Sequence, residues 1–168
     1  MGLFPALKKN QTQRGNPQFT QDRHFLFMEN MFGDGVDEAL LWGWSSWWPK
    51  DGDLQYHVLS SGGMATGALC ELVLKKKWAR VALKGKVVSC AKRVLEIEWS
   101  SGLIKARELV TAEERSNGMR IDHQFIFVGS NRVMQFLWIL VFRKWHNQCV
   151  VEALDALKKR FDIKNAQL

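Results

Sequence analysis

Two periodicities divide the chain. Between Leu54 and Phe127 apolar and polar residues alternate in short runs, and from Ser130 to Phe161 apolar residues return at three- and four-residue steps. Leu95, Ile97 and Trp99 alternate with Val94, Glu96 and Glu98. Met119, Ile121, His123, Phe125 and Phe127 alternate with Arg120, Asp122, Gln124 and Ile126. A period of two puts one set on each face of a strand, so one face of the resulting sheet is greasy and the other mostly wet. The pattern predicts strands at Leu54–Leu59, Met64–Leu74, Trp78–Cys90, Arg93–Trp99, Leu103–Ala112 and Met119–Phe127. Turn signals at Ser61-Gly62-Gly63, Lys75–Lys77, Ser100-Ser101-Gly102 and Ser116-Asn117-Gly118 separate them. Such short connections imply an antiparallel meander.

The last third predicts one long helix. Ser130 or Asn131 can cap it, because a short polar side chain accepts a bond from an orphan amide of the first turn. Phe136, Leu140, Arg143, Asn147, Val150, Leu154, Leu157 and Phe161 form its expected buried stripe, while Glu152, Asp155, Lys158, Lys159 and Arg160 face water. Some 30 residues of helix run about 45 Å, so only the greasy face of the sheet is large enough to cover it. The run Phe136–Phe142 also fits a buried strand, and the periodicity that continues to Leu157 favours the helix. Arg143-Lys144 cuts the apolar run far short of the roughly 20 residues a membrane span needs.

Upstream, residues 1–19 are polar, with Gly15 and Pro17, and read as a flexible arm before a single domain over 20–168. Arg23–Glu29 reads as a strand. Asp34 can cap a helix in which Val36, Ala39, Leu40 and Gly43 share a face, and Pro49 ends it. Trp42, Trp44, Trp47 and Trp48 crowd its end, either as core packing or as the mouth of an apolar pocket.

Composition narrows the class. The 168 residues are 46% hydrophobic and 24% charged, as in an ordinary globular domain. Cys70, Cys90 and Cys149 form no CxxC pair, which points to a reducing, cytoplasmic setting rather than a disulfide framework. The first 15 residues lack the apolar core of a secretory signal. The net charge of +7 is concentrated between Glu71 and Glu96, where Lys75, Lys76, Lys77, Arg80, Lys84, Lys86, Lys92 and Arg93 fall without an acid among them. That segment reads as a solvated sheet edge kept from pairing by its lysines, or as a patch for an anionic membrane surface. It lacks a recognition-helix pattern and offers only Trp78 for stacking, which argues against nucleic acid.

The order of elements resembles the helix-grip fold of the START, polyketide-cyclase and birch-pollen-allergen-like superfamily. Trp47-Trp48-Pro49 stands where that family often closes its first helix, and Gly67 is like the glycine opening its next strand. Lys84-Gly85-Lys86-Val87 with Leu95-Glu96-Ile97-Glu98-Trp99 resembles a strand pair of that family. Gly118-Met119-Arg120-Ile121 is similar to the start of its last strand, with Met where Thr is usual. Arg143-Lys144-Trp145-His146 and Ala153-Leu154-Asp155-Ala156-Leu157 resemble the closing helix of bacterial members. The resemblance covers residues 22–161. It implies an α+β fold, a curved antiparallel sheet around a long C-terminal helix, with a cavity between them for a hydrophobic or amphipathic molecule. Relatives use that cavity for carrying lipids, for cyclising polyketides or as receptors.

On this reading Trp44, Trp47, Leu95, Ile97, Trp99, Phe125, Phe136, Leu140 and Val150 line the cavity, and His123 and Arg143 fix the ligand's polar end. His123 and His146 are the candidate acid–base groups of a cyclase-type enzyme, because imidazole titrates near neutral pH. The plainer reading of each, and the favoured one, is a core histidine bonded to a backbone carbonyl. Arg107 joins the ligand-binding candidates if it points inward with Lys105. One residue of register the other way turns Ile104, Ala106 and Val110 inward, and this is preferred because Glu108 is then the only charge buried. No GxSxG, HExxH, Walker or GxGxxG motif occurs, and the four histidines are too dispersed to suggest a metal site, so no cofactor is expected.

Overall fold

The computed structural model describes residues 19–29, 43–76, 79–91, 93–102 and 104–165. Seven strands form one antiparallel sheet: β1 (Phe19–Glu29), β2 (Leu54–Val58), β3 (Leu69–Lys76), β4 (Ala79–Ala91), β5 (Val94–Ser101), β6 (Ile104–Arg115) and β7 (Gly118–Gly129). Their spatial order is β1-β7-β6-β5-β4-β3-β2, so the meander from β2 to β7 runs in sequence and β1 closes its far side. A single helical turn, α1 (Trp44–Trp47), precedes β2. After β7 comes one continuous helix in three parts: α2 (Arg132–Leu137), a π-helical turn (Trp138–Phe142) and α3 (Arg143–Asn165). This is the expected helix-grip architecture. The helix that Asp34 was expected to cap, Trp42, and the arm before residue 19 lie outside the described residues.

The period-two pattern sets the faces as expected. Leu95, Ile97 and Trp99 are buried on β5, and Met119, Ile121, His123, Phe125 and Phe127 on β7. On β6 the inward set is Ala106, Glu108, Val110 and Ala112, which selects the register with one buried charge. Arg107 is therefore not a ligand-binding residue. It lies on the outer face, 2.8 Å from Glu96 of β5, because neighbouring residues on a strand point oppositely. The basic segment is also corrected: β3 and β4 are interior strands, and β1 and β2 are the edges. Residues 64–67 form a turn instead of opening a strand, with Gly62, Gly63 and Gly67 all at positive φ.

Two features curl the sheet and fit the helix to it. The pairing of β4 with β5 shifts between Val87 and Ser89, a bulge that bends the strand. Gly129 lets the helix start hard against the strand end, since a Cβ there would sit 2.7 Å from the Gln135 amide. Asn131 caps the helix, its Oδ1 accepting from the Met134 N–H at 2.9 Å. The strand reading of Phe136–Phe142 is thereby overturned: the cap nucleates a helix that the following periodic sequence extends.

The helix buries a different stripe from the expected one. Gln135, Trp138, Trp145, His146, Cys149, Val150, Ala153, Leu154 and Leu157 are buried, while Phe136 and Leu140 are 60% and 62% exposed. The π turn explains the change. A turn with one extra residue rotates everything before it relative to everything after it, so a stripe extrapolated back from Leu157 lands on the wrong face. Val150, Leu154 and Leu157 lie beyond the π turn and stay on the buried side.

Gly85 is a close-approach position in β4. A Cβ there would collide with the Trp99 ring and lie 2.9 Å from the Cys70 sulfur. Gly85→Ala is expected to destabilise the fold by about 1–3 kcal/mol through overpacking. Urea unfolding followed by tryptophan fluorescence measures it, and an unchanged midpoint contradicts the packing described.

Candidate functional site

The centre of the concave face is a buried carboxylate. Glu108 is 1% exposed and collects four donors from four elements. Its Oε1 accepts from Trp44 Nε1 of α1 at 3.0 Å and meets His123 Nε2 of β7 at 3.0 Å. Its Oε2 accepts from Trp99 Nε1 of β5 at 3.0 Å and from the Tyr56 hydroxyl of β2. A carboxylate only accepts, so His123 Nε2 carries a proton and donates it. Burial works to raise the Glu108 pKa, but the hydrogen bond and charge of His123, with the bonds from Tyr56 and Trp99, outweigh it and hold the carboxyl below its ordinary value. Burial and then the Glu108 charge push the Tyr56 phenol well above its ordinary value, so it remains a donor. The same two causes push the Cys70 thiol up to about 12. Removing one partner of such a buried ion costs about 3–5 kcal/mol.

Around this carboxylate lies a cluster of rings. Trp44 stacks on His123 with centroids 5.8 Å apart, and His24 of β1 and His146 of α3 approach His123 at 5.9 and 6.3 Å. Among the described residues, His24 Nδ1, His123 Nδ1, Trp48 Nε1 and Asp22 Oδ2 are buried and find no hydrogen-bond partner. Burial and then His123 lower the His24 pKa, and the same causes, in that order, lower that of His146 to about 4. His146 is thus a neutral imidazole at physiological pH.

His146 also faces the cavity. Between the helix and the sheet is an apolar cleft of about 40 Å³, bounded by Leu72 and Leu74 of β3, Leu83 of β4, Phe125 and Phe127 of β7, and Trp138. Among the described residues of that lining only His146 has a titratable side chain, and Met134, Leu137 and Phe142 bring the first turns of the helix over it. Phe127 and Trp138 stack at 4.3 Å, and Phe125 and His146 also lie 4.3 Å apart, so the imidazole is wedged among aromatic rings. The volume holds a few water-sized groups, well below the roughly 300–1,000 Å³ of a site for a drug-sized molecule.

The expected site residues separate by place. Phe125 and His146 line the cleft. Trp44, Trp99 and His123 surround Glu108, and Leu95, Ile97 and Val150 are core. Phe136 and Leu140 point to solvent for the reason given above. Arg143 does not meet the cleft: its Nη2 and Nε lie 2.7 and 2.8 Å from Asp22 of β1, tying the helix to the sheet edge. Trp47 belongs to α1, and its side chain lies outside the described ones. The residue that sequence reasoning missed is Glu108 as a hub. The register argument already left Glu108 as the lone buried charge, and that was the available signal. Among the described residues no group of three or more His, Cys, Asp or Glu is arranged to hold a metal ion.

No family model matches the chain, and no curated protein matches it in sequence. Solved structures do share its architecture. The solution structure of KanY protein superposes with a TM-score of 0.62 at 17% identity, covering 85% of this chain and 97% of that one. Norcoclaurine synthase from Thalictrum flavum, solved with dopamine and hydroxybenzaldehyde, gives 0.56 at 12%, covering 90% and 96%. The di-domain ARO/CYC StfQ from the steffimycin biosynthetic pathway gives 0.58 at 7%, covering 87% of this chain and 53% of that one. At these identities the likeness is one of fold: the chain has the helix-grip fold that these structures share.

The buried histidines fix a pH dependence. A histidine whose folded pKa lies near 4 binds its proton less readily than in the unfolded chain, where it titrates near 6.5. Stability is therefore full above about pH 6.5 and falls as pH drops toward 4, by up to about 3 kcal/mol from His146. Urea unfolding from pH 7.5 to 4 should show this slope, and His146→Phe should flatten it. An equal slope in the variant contradicts the assignment.

Proposed function

We propose that this protein binds a hydrophobic or amphipathic small molecule, with a lipid-like or polyketide-like carbon skeleton, between the sheet and the C-terminal helix. The observation that carries the proposal is the cleft itself, apolar on every side except for the neutral imidazole of His146. An apolar pocket with few placed polar groups is the usual form of a small-molecule site. The apolar part of the ligand lies against Phe125, Phe127 and Trp138, and its polar end meets His146. A ligand of lipid size needs more room than about 40 Å³. The segment around the π turn supplies it by moving outward, since its outer face is already in water and the wide turn interrupts the regular ladder.

A second reading rests on one further observation. His146 stands 6.3 Å from His123, which is itself held by Glu108, so a neutral base on the cavity wall is backed by a buried His–carboxylate pair. That arrangement suits proton abstraction from an acidic C–H or O–H of a bound polyketide-like molecule, followed by return of the proton and loss of water, as in a cyclase or dehydratase. On this reading His146 touches the substrate and His123 positions it.

Native mass spectrometry of the protein as purified from cells tests the binding. The expected result is an added mass that leaves on denaturation and is absent in Ile104→Trp, which plugs the cleft at its rim. A clean apo mass, or an adduct unaffected by that substitution, contradicts the proposal. The same adduct separates the readings: a carrier returns the molecule unchanged, and an enzyme returns one that has lost water, a conversion abolished in His146→Gln.

A further inference from the structure

The start of the long helix carries an apolar stripe on its outer side. Val133, Phe136, Leu137 and Leu140 are spaced i, i+3, i+4, i+7 and are 63%, 60%, 36% and 62% exposed, with Ile139 beside them at 43%. A contiguous apolar face of this kind left in water marks an interaction site. Its surroundings show which kind. The antiparallel register brings the β3–β4 hairpin (Lys76 opposite Ala79), the β5–β6 hairpin (Ser101 opposite Ile104) and the last residue of β7 (Gly129 opposite Ile104) to one end of the sheet. The helix begins at that same end. Lys75, Arg80, Lys105 and Arg132 are exposed there, and Lys76 reaches over the Trp145 ring of the helix at 5.0 Å.

We infer that this end of the molecule docks on an anionic phospholipid bilayer. The stripe enters the boundary between headgroups and acyl chains, and the cations lie over the phosphates. An exposed apolar helix face with Lys and Arg side chains at the same end of the molecule suits such a surface, the acyl chains taking the stripe and the anionic headgroups the cations. The same cations argue against a second copy as occupant, since a symmetric contact between two stripes brings like charges together. No described helix is long and apolar enough to cross a membrane, so this is a surface contact. Leu137 belongs both to the stripe and to the lining of the cleft. Docking does not depend on the ligand reading and stands if the cleft proves empty.

Co-flotation with phosphatidylcholine vesicles, with and without phosphatidylglycerol, tests the surface, using Phe136→Asp/Leu140→Asp and Lys75→Ala/Arg80→Ala. All four side chains are exposed, so both double variants should melt as the parent does, which circular dichroism checks. The full chain should float with phosphatidylglycerol vesicles at about 0.01 M salt and weaken at 0.15 M. The charge variant should partition about thirtyfold more weakly, from roughly 1 kcal/mol per cation, and the stripe variant should not float. Failure of the parent to float at low salt overturns the inference, as does flotation unchanged by the stripe substitutions. So does a dimer in analytical ultracentrifugation that falls to monomer in the stripe variant, since a second copy then covers the face.

Discussion

A carboxylate removed from water must find donors for its oxygens, and that constraint organises this fold. Glu108 takes its four from α1, β2, β5 and β7, elements far apart in the chain and brought side by side by the curl of the sheet. Each donor is an aromatic or imidazole ring, so satisfying the charge also packs the concave face. Trp99 can lie flat over β4 because position 85 has no side chain, and Trp44 can stack on His123 because both reach the same oxygen. Charge, ring packing and backbone approach are one solution here. Loss of any part leaves either an unpaired ion or a void.

The same arrangement decides what the cleft can be. The polar groups of the concave face are drawn toward Glu108, and the space nearer the helix start is left to Leu, Phe and Trp, with His146 between the two regions. Burial without a carboxylate partner keeps His146 neutral, whereas His123 has one. Two imidazoles 6.3 Å apart thus differ in their surroundings. The helix above is secured at its first turn and in α3, where Arg143 meets Asp22 and Trp145 donates to Asp53 at 3.0 Å. Between these anchors lies the π turn.

How much of this the sequence shows depends on whether a residue's neighbours are local. The alternation on β5 and β7 is set by pleating, and it gives the inward faces without further information. The register of β6 followed from the cost of burying two cations instead of one acid. The hub that results could not be read, because Trp44 and Glu108 are 64 positions apart and Tyr56 and Glu108 52, and no periodicity links them. The helix stripe failed locally, at a nameable place. Phe136–Phe142 is apolar on all sides, so it carries no period of its own, and a stripe extended back from Leu157 assumes a regular turn where the chain makes a wide one. Arg143 was placed by that same extrapolation. Its partner Asp22, on β1 121 positions earlier, gave no sign of itself.

The central claim is that Glu108 is an ion at the heart of the concave face. The most direct measurement is a pH titration by NMR of protein labelled with carbon-13 at the glutamate side-chain carboxyl. The account predicts that the Glu108 resonance keeps its ionised shift after the exposed glutamates have titrated near pH 4.3, because four donors hold it below its ordinary pKa. A Glu108 signal that protonates above the other glutamates, as an unassisted buried carboxyl does, would contradict it.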